Sequence, residues 1–283
     1  ATFPKILTIA VVGLGIIGLV SIFRTLYFLW NSYLPDFHVF YYSANDIVHR
    51  INPYEDTKLY TGLGYPLSTV LLYMPLLLFP FALASKIFLL INIICVFLIV
   101  YVSIKIAKIN ASWKYIIIFA SLAVLSFPVK YSFGMGQSNL LAYTILLYSF
   151  YRHLRKRNIE SGILLGLSLV IKPIFIFVLL YFLLQKAYKT ILIAGGVVGI
   201  FTIVSIIILG LNPYVFYITS LVPHLFNLEG REVYYNQGLT GFISRLTEND
   251  AFRRIIPLIT GVLLTLFSIF SAIRVKLSKE VLF

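Results

Sequence analysis

Long apolar runs joined by short basic connections constrain this chain more than any other feature. Ile6 to Trp30 carries a single charge, Arg24, and as a helix rising 1.5 Å per residue it is long enough to cross a hydrocarbon core of about 30 Å. Comparable runs lie near residues 83–104, 115–128, 138–151, 191–209 and 255–273. Two others, 161–171 and 173–184, would reach only about 17 Å each, so neither spans comfortably alone. Between 65 and 104 the run is interrupted by Pro66, Pro75, Pro80 and Lys86, and a short dipping or interfacial piece there, followed by one full span, suits the charge pattern. With 60% hydrophobic residues, 12% charged and a mean hydropathy of +0.95, a soluble globule would leave far too much apolar surface in water. The expectation is an all-α, polytopic transmembrane protein with about eight crossings plus short interfacial or broken helices. With no repeat, low-complexity stretch or linker, 1–283 reads as a single domain.

The net charge of +13 raises nucleic-acid binding, but the placement of the charges excludes it. Thirteen basic residues sit in short connections, among them Lys105, Lys108, Arg152, Arg155, Arg157, Lys186 and Arg274, while eight of the ten acids fall in the two alternate loops, 31–64 and 211–254. Basic residues retained on the cytoplasmic side give a multi-pass protein of the cell membrane with both termini cytoplasmic and those two loops outside. Residues 6–30 are too long for a signal-peptide core and read as an uncleaved first span. Cys95, the single cysteine, allows no internal disulfide.

Within the first outer loop, Asp36 to Tyr54 is the stretch with chemical promise. Phe37, Phe40, Tyr41, Ala44, Ile47, Val48 and Ile51 recur at helical spacing, with His38, Asn45, Asp46, His49 and Arg50 opposite, as in a helix lying flat in the headgroup layer. Asp36 opens it, either as a helix cap or as a working carboxylate at the water boundary. Asn52-Pro53-Tyr54 closes it. Lys172, beside Pro173 and between two undersized segments, marks a broken helix, and irregular backbone at membrane depth lines cavities. Gly134, Gly136, Gln137 and Asn139 form a polar turn within 130–139. Arg245, near Asn236 and Gln237, suits an anion clamp because guanidinium grips phosphate bidentately. His38, His49 and His224 lack metal-ligand spacing and no DxD pair is present. With neither phosphate loop nor dinucleotide fingerprint, no metal, cofactor or nucleotide donor is expected.

Taken in order, Asp36-Phe37, Tyr41, Ala44, Asn52-Pro53-Tyr54, Tyr65-Pro66, Gly136-Gln137-Ser138-Asn139, Lys172-Pro173, Asn236-Gln237 and Arg245 resemble glycosyltransferase family 87 over Tyr33 to Arg245. The resemblance implies an integral-membrane GT-C enzyme that takes mannose or a related sugar from a polyprenyl-phosphate donor on the extracytoplasmic face and passes it to a lipid or glycan acceptor, among membrane lipids and without nucleic acid. It implies Asp36 as catalytic base and Lys172 and Arg245 on the donor phosphate. Tyr41, Asn52, Tyr54, Tyr65, Gln137, Asn139, Asn236 and Gln237 would line the substrate pocket, with His224 as a further candidate. Leu67 stands where the family commonly has a second proline, Arg50 where it has glycine and Gly238 where it has serine; these departures bear on the sugar and acceptor. Family chains are usually longer, so terminal helices are expected to be missing. A transporter or flippase for lipid-linked sugars, or a non-catalytic subunit that binds them, would share the broken helix and the lysine.

Overall fold

The computed structural model describes residues 3–55, 62–108, 112–224, 232–233, 236 and 238–277, and the side chains among them except those of 3–7, 224 and 272–277. Its helices are α1 (Phe3–Leu29), α2 (Pro35–Val48), α3 (Leu67–Val70, continued by a 3-10 stretch Leu71–Leu78), α4 (Phe81–Ile106), α5 (Trp113–Leu125), α6 (Phe127–Met135), α7 (Asn139–Leu154) and α8 (Asn158–Ile171). There follow a 3-10 turn Pro173–Val178, α9 (Leu179–Leu184), α10 (Tyr188–Leu209), α11 (Asn212–Phe216), a π turn Tyr217–Leu221, α12 (Val222–His224), α13 (Leu239–Leu246) and α14 (Asp250–Leu277). The chain is an all-α polytopic membrane protein.

Fewer helices than the expected eight crossings are, each by itself, long and apolar enough to span a membrane. Among the described residues four helices are long and apolar enough to cross a membrane, Thr8–Leu29, Phe81–Ile106, Tyr188–Leu209 and Asp250–Ser271, and a fifth arises if Trp113–Leu125 and Phe127–Met135, bent by 63°, make one broken span. The bend has a local cause. Pro128 cannot donate a backbone bond, and the chain is extended at Ser126, so a new helix starts where the first stops. As a result most of the expected turn at 130–139 is helical, and only Gly136 to Ser138 turns.

The chain forms two compact units. The first comprises Ala1–Phe177 and Ala187–Val215. In it α1 packs on α5, α5 on α4, α4 on α7, α7 on α8 and α8 on α10. Lipid offers no hydrophobic drive between spanning helices, so small residues and interhelical hydrogen bonds hold them. Ser149 and Ser161, both fully buried, each donate to the other's carbonyl, at 2.8 and 3.0 Å. Directly after Ser161 and one turn further, Gly162 and Gly166 let α8 lie against α10; a Cβ on either would stand 2.8 Å from a backbone carbonyl of α10.

The apolar stripe of α2 is covered by protein. Phe37, Ala44 and Ile47 are fully buried; Phe37 stacks on Phe88 with centroids 4.7 Å apart and Phe40 on Tyr73 at 4.5 Å. The helix ends at Val48, before the expected Asn52-Pro53 stop, because Arg50 adopts a left-handed conformation, φ 60°. Val48 and Ile51, expected on the stripe, are therefore exposed, while Asp46, expected opposite it, is buried.

The second unit comprises Val178–Lys186 and Phe216–Phe283. Its corner between α13 and α14 is tied by Arg253, whose Nε donates to the Thr247 carbonyl at 2.7 Å and Nη2 to that of Ser244 at 3.2 Å. Asn249 caps the start of α14, its side-chain oxygen accepting from Ala251 N–H at 2.9 Å.

Candidate functional site

Asp36 is the second residue of α2. Leu34 occupies the cap position in a left-handed conformation, so Asp36 lies inside the first turn and is not the helix cap. As an acid in the first turn it lies at the positive end of the helix.

Gly136 brings the partner of Asp36 into place. It ends α6 with φ 68°, the left-handed conformation that glycine adopts without penalty, and it sits directly against α2, since a Cβ would be 2.7 Å from Cβ of Phe37 and 2.9 Å from Cβ of Leu34. The next residue, Gln137, lies close to the Asp36 carboxylate and favours its charged form. Its Oε1 accepts from Asn139 Nδ2 at 2.6 Å and from Ser132 Oγ at 3.2 Å. With the oxygen occupied by two donors, the amide NH₂ is left free to face the carboxylate. Burial pushes the Asp36 carboxyl above its usual range, and the nearby Gln137 amide and the Lys172 charge act in the opposite direction without cancelling it.

Lys172 follows the last residue of α8, where Pro173 ends the helix as the sequence predicts. Its ammonium donates to the Tyr65 hydroxyl. It stands 5.0 Å from the ring centroid, a distance the hydroxyl contact itself accounts for, so the pairing is a hydrogen bond at the ring edge and not a stack on its face. Tyr65 is held in turn. Its ring meets Phe40 edge to face at 5.0 Å, and its carbonyl accepts from the Tyr54 hydroxyl at 2.7 Å. The break at Lys172 also deprives the Val170 carbonyl of its usual helical donor, and buried Thr69 Oγ1 supplies one at 2.6 Å.

The first unit thus brings together Asp36, Gln137, Asn139, Lys172, Tyr65 and Tyr54. Two other sequence candidates in the same unit are occupied locally. Asn52 makes a turn, accepting from Tyr54 N–H at 3.2 Å and donating to Glu55 at 2.8 Å, and Tyr41 donates its hydroxyl to the Phe79 carbonyl at 2.8 Å. Arg245 and Asn236 belong to the second unit, where Arg245 Nη1 donates to the carbonyls of Val233 at 3.1 Å and Asn236 at 3.0 Å. Gln237 and the side chain of His224 lie outside what the structure describes.

Sequence reasoning missed Ser132, Thr69 and Tyr214. Tyr214 Oη lies 2.6 Å from Ser205 Oγ and accepts from Ser68 N–H at 3.1 Å, joining α10 and α11 to the start of α3. Nothing in their spacing distinguishes them from packing residues; the proline at Pro66, which frees backbone near by, is the one signal that could have drawn attention to that segment.

A carboxylate made more basic by burial, steadied by an amide and placed within the field of a lysine, can accept a proton while the lysine receives developing negative charge. Comparison with known proteins bears on which reaction this serves. The sequence profile of glycosyltransferase family 87 matches residues 63–282. The polyprenol-phosphate-mannose-dependent alpha-(1-2)-phosphatidylinositol mannoside mannosyltransferase of Mycobacterium tuberculosis is 24% identical over 168 residues, 59% of this chain and 38% of that protein's length. No solved structure matches.

Proposed function

Because the chain belongs to glycosyltransferase family 87, we propose that it is an inverting, polyprenyl-phosphate-sugar-dependent glycosyltransferase and that Asp36 is its general base. In the reaction, an acceptor hydroxyl attacks the anomeric carbon of the lipid-linked sugar. Its proton passes to the Asp36 carboxylate as the new C–O bond forms. The bond from the anomeric carbon to the phosphate oxygen breaks, and the electron pair leaves with polyprenyl phosphate, whose charge Lys172 stabilises. Tyr65 and Gln137 are positioning residues, one for the ammonium and one for the carboxylate. Arg245 is assigned no step, since both of its described hydrogen bonds hold the 233–236 backbone.

The observation that carries this reading is that the Gly136 turn packs against α2 and so sets Gln137 beside Asp36, within the field of Lys172, in one compact unit. Mannose as the sugar, polyprenyl phosphate as its carrier and a lipid or glycan as acceptor are supported by the activity for which the mycobacterial relative is named. A site open to the extracytoplasmic face is supported by the gathering of basic residues in the opposite connections. The test incubates purified protein with radiolabelled polyprenyl-phosphate-mannose and a membrane lipid extract. Asp36→Asn keeps the shape and removes the base, so transfer should fall by about 10²- to 10⁴-fold. Undiminished transfer by that variant would remove Asp36 from the reaction, and no transfer by the parent to any lipid or glycan would remove the activity.

A further inference from the structure

A groove of about 570 Å³, with neither Asp36 nor Lys172 in its lining, opens between α1 and α6, with Ser21, Arg24, Phe28, Leu125, Lys130 and Gly134 among its walls. Its composition is unusual for a membrane surface. Most of the lining is hydrocarbon, yet two cations from different helices face it, and neither makes an ion pair among the described residues. Arg24 lies five residues inside the Leu29 end of the span Thr8–Leu29, about 7.5 Å below that end at 1.5 Å per residue. At that depth a guanidinium without a counter-ion is costly, and it either reaches to the headgroup layer or binds an anion. The Phe28 ring, 5.6 Å from Arg24 Cζ, holds it over the groove. Lys130 supplies a second charge on the opposite wall.

We propose that this groove is a binding site for an anionic phospholipid of the bilayer, the phosphodiester lying between Arg24 and Lys130 and one acyl chain along the apolar wall of α1. Charge complementarity selects the anion. Volume selects a lipid, because the groove falls in the range of about 300 to 1,000 Å³ that takes a sizeable organic ligand and far exceeds what a bare phosphate ion needs. Access is lateral, since Phe28 and its neighbours on α1 are exposed on the lipid side. None of the groove's lining residues is among those assigned to the transfer reaction. It shares α6 with that machinery, so a lipid seated there would brace the helix that ends in Gly136.

The full chain, purified in micelles, is titrated with phosphatidylglycerol and, separately, with phosphatidylcholine, and bound lipid is counted by native mass spectrometry. Phosphatidylglycerol should be retained as one tightly held copy, and the paired change Arg24→Gln with Lys130→Gln should weaken it by about tenfold or more, as expected for lost charged hydrogen bonds. The paired change Arg24→Lys with Lys130→Arg keeps both charges and should restore retention, which separates loss of the site from loss of the fold. Equal retention of phosphatidylcholine, or undiminished phosphatidylglycerol on the glutamine variant, overturns the proposal. So does displacement of phosphatidylglycerol by inorganic phosphate, or by equimolar polyprenyl phosphate, which would make the groove a donor subsite.

Discussion

Replacing Gly136 by alanine tests how the site is assembled. The glycine has φ 68°, a conformation that costs an L-residue roughly 1–2 kcal/mol. The added methyl would also stand 2.7 Å from Phe37 Cβ and 2.9 Å from Leu34 Cβ, atoms fixed to backbone that cannot swing aside, an overpacking that typically costs about 1–3 kcal/mol. Together these give a loss of about 2–5 kcal/mol. The cheapest relief is for the Gly136 turn to move off α2, which carries Gln137 away from Asp36. Gly136→Ala should therefore lower stability and also lower transfer in the fraction that stays folded. Gly196→Ala, whose methyl would meet nothing within 4 Å on α10, is the matched control. Thermal unfolding in micelles and initial rates on the same preparations read both effects. If Gly136→Ala unfolds and turns over like Gly196→Ala, the turn does not seat α2 and the account of the site fails.

Three further outcomes follow from the same geometry. Burial raises the Asp36 carboxyl, and a group with a raised folded value loses stability as pH rises through that value; at neutral pH Asp36→Asn should be at least as stable as the parent although it transfers poorly, with its advantage vanishing in acid. The parent's rate should fall in acid with a midpoint above the usual aspartate range, and a less stable Asn variant at neutral pH would contradict this. Tyr65→Phe keeps the Phe40 contact and the Tyr54 bond to the carbonyl but removes the hydroxyl from Lys172, so transfer should fall by about tenfold or more with an unchanged unfolding profile; equal rates would free Lys172 from any dependence on Tyr65. Gly166→Ala places a methyl 2.8 Å from the Ala194 carbonyl oxygen and 2.6 Å from Val197 Cβ and should cost about 1–3 kcal/mol, read by unfolding against Gly196→Ala.

Much of the architecture was legible in the chain because hydropathy and proline act locally. The break at Lys172-Pro173 could be read directly, since proline removes a donor and disfavours helix before it. The bend at Ser126–Pro128 was harder, because proline near a helix start is as ordinary as proline after a helix end, and the run 115–128 gave no reason to choose. The short α7, which carries Arg152 and His153 in its last turn, likewise read as a crossing on apolar content alone. At the site, residue types that carry charge announced themselves: Asp36, Lys172 and the polar Gln137–Asn139 turn. What holds them did not. Gly136 is one of 17 glycines and only tertiary packing shows that its missing side chain is what lets α6 touch α2. Arg245 reads as a phosphate clamp by chemistry alone, but its contacts with the Val233 and Asn236 carbonyls are a matter of loop geometry that spacing cannot supply.

The grip on the end of α8 has a consequence for how the chain is made. Tyr65 and Thr69 hold Lys172 and Val170 across sequence separations of 107 and 101 residues. During synthesis the cradle is laid down roughly a hundred residues ahead of its occupant, and until α8 arrives the hydroxyls of Tyr65 and Thr69 have no such ties. On the proposed function, completion of the cationic half of the site therefore coincides with the docking of a late helix onto an early one, and a half-inserted chain would transfer no sugar.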